Sequence, residues 1–399
     1  MIDQRTAIPT ASAAHDPLAD GRRLAAEVLD PMKRAFVGKD EIIDLMGVCL
    51  VAGENLFLLG PPGTAKSALV HELGARLSGR TFEYLLTRFT EPNELFGPFD
   101  IRRLREGDLV TNTEGMLPEA SLVFLDELLN ANSAILNSLL GVLNERVFRR
   151  GRETRPLPTL MVVGASNRLP EEDALAALFD RFLMRVVCDN VPGEHLGQVL
   201  SAGWQLDLGP RARTATLDVE DVRRLHGQLH RVDLTDVRPL IIDLVGRLRH
   251  AGLAVSDRRA VKLQRLVAAS ALIASRDRAM PSDVWVFRHI WDTVEQQEVL
   301  ASVVHEALAR IPADPTDHPR ARGNDAPDAE ALARDLAALA DEADAARGGD
   351  GTDPADRAAL ADRLGLLAGR CQWVADERRR AILLEQVAEL WKRIGSNPT

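Results

Sequence analysis

The chain has 399 residues, of which 46% are hydrophobic and 27% are charged, a composition that excludes a wholly disordered or fibrous protein. This length favours two or three domains. The 59 acidic and 49 basic residues give a net charge of −10, which argues against a broad basic face for nucleic acid because phosphate binding needs clustered positive charge. This net charge is still compatible with a local basic pore.

The first half of the chain has the pattern of an α/β domain. Residues 1–20 are polar and predict a flexible tail. From residue 21 to residue 192, short apolar runs alternate with helix-length segments, which is typical of a parallel sheet flanked by helices. The predicted strands are Leu56–Leu59, Phe82–Leu86, Leu122–Leu125, Leu160–Val163 and Phe182–Val187.

The second half predicts helices only. Over residues 193–310 the strand pattern fades and apolar residues recur at helical spacing, which predicts an all-α domain. Residues 311–328 are rich in proline and aspartate and predict a linker. Residues 329–399 again show helical spacing and predict a short helical C-terminal appendage.

The segment Gly60–Ser67, with the sequence GPPGTAKS, carries the strongest chemical motif. It lies between a predicted strand and a predicted helix, the context that a phosphate-binding loop requires. Backbone amides of such a loop and of the helix start face the phosphates, Lys66 adds a charge for the β- and γ-phosphate oxygens, and Ser67 offers a hydroxyl to Mg²⁺. Ala65 replaces the usual glycine, and because it adds only a methyl group we expect the loop to form. A chance turn with a solvated lysine is the alternative. The predicted phosphate-binding residues are Gly60, Pro61, Pro62, Gly63, Thr64, Ala65, Lys66, Ser67 and Ala68.

Two adjacent carboxylates, Asp126 and Glu127, end the apolar run that begins at Ser121. Carboxylates at the end of a buried strand are costly unless a metal or hydrogen bonds use them. Asp126 would hold Mg²⁺ through Ser67 or water, and Glu127 would polarise the attacking water. Alone, the pair could be a solvated strand end, but the preceding loop favours the chemical role.

Three further polar residues are candidates for the same chemistry. Asn167 ends an apolar strand and could orient the water, although asparagine is also common where a strand opens into a turn. Arg181, set between apolar neighbours in LFDRF, could reach a neighbouring subunit's γ-phosphate or form an ion pair with Asp180. Arg258, at a predicted helix start, opposes the helix dipole, so it is expected to have a partner. Nucleotide phosphate is one candidate, and a solvated basic turn is the alternative.

Together these motifs resemble the AAA+ ATPases of the MoxR family, most closely the RavA-like branch. The resemblance covers about Pro31 to Arg310, and RavA-like proteins continue with a small β domain that this helical tail lacks. The segments that carry the resemblance are GPPGTAKS, TRFTEPNELFGPFDI, GMLPEASLVFLDE, AILNSLLGVLNER, GASNRLPEEDALAALFDRFLMRV and SDRRAVKLQRLVAASAL.

The resemblance implies a role for each matching residue. Gly60–Ser67 corresponds to the Walker A loop, with ATP and Mg²⁺ as the groups bound, and Asp126 and Glu127 correspond to Walker B. Asn167 corresponds to sensor 1, Arg181 to the arginine finger and Arg258 to sensor 2. Val37 and Gly38 match the stretch beside the adenine. The segment Arg102–Glu114, around the Gly107–Asp108 turn, matches a hairpin insert that points into the pore of related rings.

The resemblance also implies an ATP-hydrolysing ring, typically a hexamer, that remodels protein complexes with a partner carrying a von Willebrand factor A domain. A slow nucleotide-dependent switch or scaffold is the alternative. A nucleic-acid motor is a second alternative. The acidic net charge argues against it, whereas Arg102, Arg103 and Arg105 in the insert favour it. A relative of the gas-vesicle type is also compatible with the motifs.

The cysteines and the N-terminal residues indicate the cellular compartment in which the protein is expected. Cys49, Cys188 and Cys371 are odd in number and far apart, so they predict neither a disulfide framework nor a metal site. The N-terminal residues lack the apolar segment of a secretory leader, and no apolar run approaches the roughly 18 residues that span a bilayer. We therefore expect a cytoplasmic protein without a transmembrane segment.

Overall fold

A computed structural model describes most of the chain after residue 17. The predicted N-terminal tail up to residue 17, the Gly107–Asp108 turn and much of the predicted linker lie outside the described residues. The described ranges are 18–105, 109–150, 153–171, 173–191, 193, 196–208, 215–312, 314, 316–318, 320–321, 329–347, 354–371, 374 and 377–394.

A five-stranded parallel sheet lies at the centre of the first domain, with the strand order β2-β3-β6-β1-β7. All five predicted strands are confirmed within two or three residues at each end. The central strands are buried on both faces, which explains their continuous apolar runs. The strands of this sheet are β1 Leu56–Leu59, β2 Thr81–Leu85, β3 Leu122–Asp126, β6 Met161–Ser166 and β7 Met184–Val187.

Helices cover this sheet and complete a mixed α/β domain. Residues 40–52 form a helix that is almost entirely buried because it packs against both the first domain and a long helix of the second. The helices of this part are α1 Ala19–Arg23, the π-helix Leu24–Leu29, α2 Asp30–Ala35, α3 Asp40–Ala52, α4 Lys66–Arg76, α5 Pro92–Phe96, α6 Ile101–Arg105, the 3-10 turns Leu117–Glu119 and Leu128–Asn130, α7 Ser133–Glu145, α8 Asp173–Phe179 and α9 Leu196–Leu208.

The second domain is helical, as expected. Its core includes the fully buried rings of Trp285 and Trp291. Its elements are α10 Val219–Gln228, the 3-10 turn Leu229–Arg231, α11 Arg238–His250, α12 Asp257–Ile273, the 3-10 segment Pro281–His289 and α13 Glu295–Ala309.

Part of the predicted linker packs against the body of the protein. The His318 ring stacks on Trp285 with 4.7 Å between centroids, and burial lowers the pKa of His318 to about 4, which keeps the ring neutral. Arg320 forms an ion pair with Asp44 at 2.9 Å. The domain boundaries themselves stay a prediction.

Three helices at the C-terminal end form a bundle with its own apolar core. They are α14 Ala329–Arg347, α15 Pro354–Cys371 and α16 Glu377–Ile394. Within the described residues, this core is a separate cluster from that of the body. No helix in the described part of the chain is both long and apolar enough to cross a membrane.

Two features near the edge of the first domain differ from the expectation. An antiparallel hairpin, β4 Val147–Arg150 and β5 Glu153–Pro156, was not predicted. Among its described residues, the insert expected to be a hairpin has a paired base, where Asp100 N donates to Val110 O at 2.8 Å. Above the base it forms α6, because the Asp100 carboxylate accepts the backbone N–H of Arg102 at 2.8 Å and caps the helix start.

Candidate functional site

The glycine-rich loop connects β1 to α4, as the motif predicts. Gly60 begins the loop, and its N–H donates to the carbonyl of Ser166 at 3.0 Å. A Cβ at Gly60 would lie 2.2 Å from the carbonyl oxygen of Cys188, so only glycine fits here without moving β7. The loop is therefore held between the ends of β6 and β7.

Ala65 adopts a left-handed backbone conformation, with φ of +70°. An L-residue pays roughly 1–2 kcal/mol in this region, which explains why glycine is usual at this position. The methyl group does not prevent the loop from forming, as expected. It does leave the backbone strained immediately before Lys66.

The substitution Ala65→Gly should therefore stabilise the protein. Relief of the strain at φ > 0 is partly offset by the extra freedom of glycine in the unfolded chain, so a net gain of about 0.5–1 kcal/mol is expected. Chemical denaturation measures it. Ala75→Gly, at an exposed position of the same helix, is the matched control and should cost up to about 1 kcal/mol. Equal destabilisation by both changes would contradict the strain at Ala65.

The residues around this loop fit phosphate. The ammonium of Lys66 is buried and donates to the carbonyls of Gly60 at 2.9 Å and Pro61 at 2.7 Å. The amides of a helix's first turn have no partner within the helix, and Ala65 provides no side-chain cap. A cradle of backbone amides with one enclosed ammonium suits a polyphosphate, and the Ser67 hydroxyl lies in the first turn of α4.

The polar strand ends meet at the same edge of the sheet. β6 lies between β1 and β3, so Asn167, after β6, lies between the glycine-rich loop and the carboxylates of Asp126 and Glu127. Asp126 accepts the backbone N–H of Glu127 at 2.9 Å. Glu127 has φ of +49°, an unusual conformation that is concentrated at functional sites. Sequence reasoning correctly anticipated that these residues follow buried parallel strands.

The segment Val37–Gly38 also lies at this end of the sheet. A Cβ at Gly38 would be 3.3 Å from Val191, and the ammonium of Lys39 donates to the carbonyl of Asp189. Both partners belong to the chain that follows β7. In that same connection, Cys188 Sγ donates to the Thr64 carbonyl at 3.2 Å. The segment is therefore tied to the glycine-rich loop through this connection.

Arg181 and Arg258 lie elsewhere, at the amino end of β1. The side-chain amide of Asn55, just before β1, donates to the carbonyls of Arg181 at 3.0 Å and Leu143 at 3.3 Å. Arg258 contacts Asn144, the residue after Leu143, at 3.4 Å. The glycine-rich loop begins at Gly60, about 16 Å further along, given about 3.3 Å per strand residue. Neither arginine is therefore beside the glycine-rich loop of the same chain.

A buried ion cluster near these arginines was missed from the sequence. Asp292 binds Arg185 on β7 and Arg259 on α12, with contacts at 2.5 and 3.0 Å. The sequence feature that could have revealed this cluster is Arg185 inside the apolar strand LMRVV, since a charge in a buried strand needs a partner. Burial lowers the pKa of Arg185 to about 10, and the guanidinium stays charged at neutral pH.

These features define a P-loop nucleotide-binding protein. A family model described as the MoxR domain in MoxR-vWA-beta-propeller ternary systems matches residues 22–227. A second model, an AAA lid domain, matches residues 236–304. The chain therefore belongs to the MoxR family of AAA+ ATPases. Its placement in the RavA-like branch stays a prediction.

Relatives support this assignment. An uncharacterized protein of Methanocaldococcus jannaschii is 35% identical over 268 residues, which are 66% of this chain and 70% of that protein. The chaperone MoxR1 of Mycobacterium tuberculosis is 26% identical over 300 residues, 69% of this chain and 78% of its own length. The crystal structure of a proposed ATPase from Cytophaga hutchinsonii shares the fold, with a TM-score of 0.59 and 20% identity over 74% of this chain and 96% of that one.

Proposed function

We propose that this protein hydrolyses ATP as part of a ring and uses the energy to remodel protein complexes. The observation that carries the proposal is the division of the polar residues between the two ends of β1. Lys66, Asp126, Glu127 and Asn167 follow strands that end at one edge of the sheet. Arg181 and Arg258 lie at the other end, where they are available to a neighbouring copy.

Each residue at the carboxyl edge has a role in binding or hydrolysis. The loop amides and Lys66 hold the phosphates, and Ser67 with Asp126 would hold Mg²⁺, which prefers oxygen ligands. A Mg²⁺ ion held there would supply positive charge to the phosphate groups. Glu127 accepts a proton from the attacking water, and Asn167 orients that water. Val37 and Gly38 would lie beside the adenine.

The position of Arg181 supports action between subunits. A subunit that offers a pocket on one face and an arginine on another assembles head to tail, and such heterologous contacts form a ring where the rotation between subunits closes. Arg258 lies at the same end as Arg181, so we place its contact with a phosphate in the neighbouring pocket as well. A hexamer is the ring size that the family suggests.

The partner is proposed from the family. The matching family model is named for systems that include a von Willebrand factor A domain, and a relative is named as a chaperone. The exposed α6, with Ile101 at 66% exposure beside Arg102, Arg103 and Arg105, offers an apolar and basic surface to such a partner or to the client. The acidic net charge of −10 favours a protein over nucleic acid.

The variant Glu127→Gln tests hydrolysis. The amide keeps the shape of the side chain but cannot accept the proton, so turnover should fall at least about a hundredfold while ATP affinity stays within about twofold. Steady-state ATPase assays and nucleotide titration measure these quantities. Glu83→Gln, which changes a carboxylate on the edge strand β2, is the control and should retain activity.

The other outcomes are equally informative. Near-normal turnover in Glu127→Gln would place the base elsewhere. A wild-type protein that binds ATP but turns it over no faster than the variant would favour the slow switch or scaffold. Proteins that co-purify with the ATP-loaded variant identify the client.

A further inference from the structure

The ion cluster centred on Asp292 joins elements from both domains. One oxygen of the carboxylate accepts Arg185 Nη1 at 2.5 Å, and the other accepts Arg259 Nη1 at 3.0 Å. Arg185 belongs to β7 of the first domain, and Arg259 to the first turn of α12 in the second. A single carboxylate therefore links the two domains.

Arg185 also reaches the helix that precedes Arg181. Its Nη2 donates to the carbonyl of Phe179 at 3.1 Å, and its guanidinium lies 4.1 Å from the centroid of the Phe179 ring. Phe179 is the last residue of α8, and its carbonyl also accepts the N–H of Phe182 at 3.0 Å. Arg181 lies within this turn, so Arg185 fixes the backbone that carries it.

Arg259 fixes the backbone that carries Arg258. Its guanidinium donates to the carbonyls of Ala254 at 3.0 Å and Ile290 at 3.1 Å. It thereby anchors the first turn of α12, in which Arg258 is the preceding residue. Arg259 is buried and Arg258 is exposed, so the two neighbours on the helix have different tasks.

We propose that Asp292 is a positioning residue that holds Arg181 and Arg258 as one unit for the nucleotide of the neighbouring subunit. A shift of the helical domain moves Asp292, and through Arg185 and Arg259 it moves Arg181 and Arg258 together. The inference rests on the proposed function, because it assigns a support to residues that act there. Burial alone would raise the pKa of Asp292, but the two guanidiniums outweigh it and hold the pKa below its usual value, so the carboxylate is charged at neutral pH.

The variant Asp292→Asn tests this. It leaves two guanidiniums without their shared carboxylate, while the glycine-rich loop is untouched. We expect ATP affinity within about twofold and kcat lowered at least tenfold, the pattern of an interaction used in the transition state rather than in binding. Asp292→Glu keeps the charge and should recover part of kcat.

Asp283→Asn is the matched control. Asp283 is another aspartate of the helical domain, fully buried where Asp292 is partly exposed, and it pairs with Arg276 at 2.8 Å, but it contacts neither α8 nor β7 through the hydrogen bonds of the described residues. It should lower the Tm while leaving kcat, measured below that Tm, within about twofold. An equal loss of kcat in both variants would reduce Asp292 to a structural role and overturn the proposal.

Mixed rings separate this inference from the proposed function. A Lys66→Ala subunit offers intact Arg181 and Arg258 to the pocket of an Asp292→Asn neighbour, so mixing should restore part of the hydrolysis. If mixing rescues Arg181→Ala but not Asp292→Asn, the positioning role is wrong and action between subunits stands. If mixing rescues neither, although mixed rings form, the action between subunits fails.

A second variant covers the case in which Asp292→Asn does not fold. Arg185→Lys keeps a cation beside Asp292, but an ammonium cannot span the carboxylate and the Phe179 carbonyl as a guanidinium does. The same tenfold fall in kcat with unchanged ATP affinity is expected. Normal kcat in the folded Arg185→Lys protein contradicts the proposal.

Discussion

Lys66→Ala should abolish measurable ATP binding while the protein remains folded. The substitution removes the enclosed ammonium from a cradle that otherwise consists of backbone amides. Charge-assisted contacts to phosphate are the strong ones, so the Kd should rise at least a hundredfold, about 2.7 kcal/mol. Nucleotide titration measures the affinity, and thermal unfolding measures the fold.

The matched control is Lys33→Ala. Lys33 lies on α2 and pairs with Asp44 at 2.5 Å, so its loss also removes a partly buried ammonium with an acceptor. Nucleotide affinity should stay within about twofold there. Unchanged ATP affinity in a folded Lys66→Ala protein would remove the loop from the nucleotide site.

Much of the fold could be predicted because the buried strands of the sheet appear in the sequence as continuous apolar runs. A strand that is buried on both faces must be apolar throughout, as Leu56–Leu59 and Leu122–Leu125 are. The hairpin β4–β5 was not predicted because Phe148 is the one buried residue among its described residues, while the others are partly or fully exposed and include several arginines. Its contact with the rest of the domain is tertiary: the guanidinium of Arg150 on β4 lies 4.1 Å from the centroid of the Phe99 ring, distant in sequence.

The site shows the same division between local and tertiary information. The loop Gly60–Ser67 is contiguous, so its conformation follows from local sequence and its place between a strand and a helix. The location of Arg181 and Arg258 relative to the loop does not follow from local sequence, because it depends on tertiary packing. Only the packing of Asn55 against Arg181 and Leu143 shows that both arginines lie at the amino end of β1, away from the loop.

The adjacent residues Arg258 and Arg259 on α12 show why the sequence alone could not tell an exposed arginine from a structural one. Successive helix residues point about 100° apart, so adjacent arginines can face the same surroundings or different ones, and the sequence does not say which. The resemblance implied the sensor 2 role for Arg258 and gave no role to Arg259. Burial and the contact with Asp292 assign the structural task to Arg259 and leave Arg258 exposed.

Arg181→Ala should lose hydrolysis by a factor of about 10³ while each subunit still binds ATP. The guanidinium is 27% exposed and pairs with Asp180 at 3.1 Å, so its removal costs little stability. Asp180→Ala is the control, because it breaks the same ion pair and keeps the arginine. If the pair were merely structural, the two variants would behave alike, whereas a role in hydrolysis predicts that only Arg181→Ala is inactive.

Mixing Arg181→Ala with Lys66→Ala decides where the arginine acts. In a ring of head-to-tail contacts, a Lys66→Ala subunit supplies an intact arginine to the intact pocket of an Arg181→Ala neighbour. In random 1:1 rings, about a quarter of the interfaces combine both intact parts, so about a quarter of the wild-type rate should return. A mixture as inactive as its components, in rings shown to contain both, would mean that Arg181 serves its own subunit. That result would require it to cover the length of β1, which a single side chain cannot do without a rearrangement of the sheet.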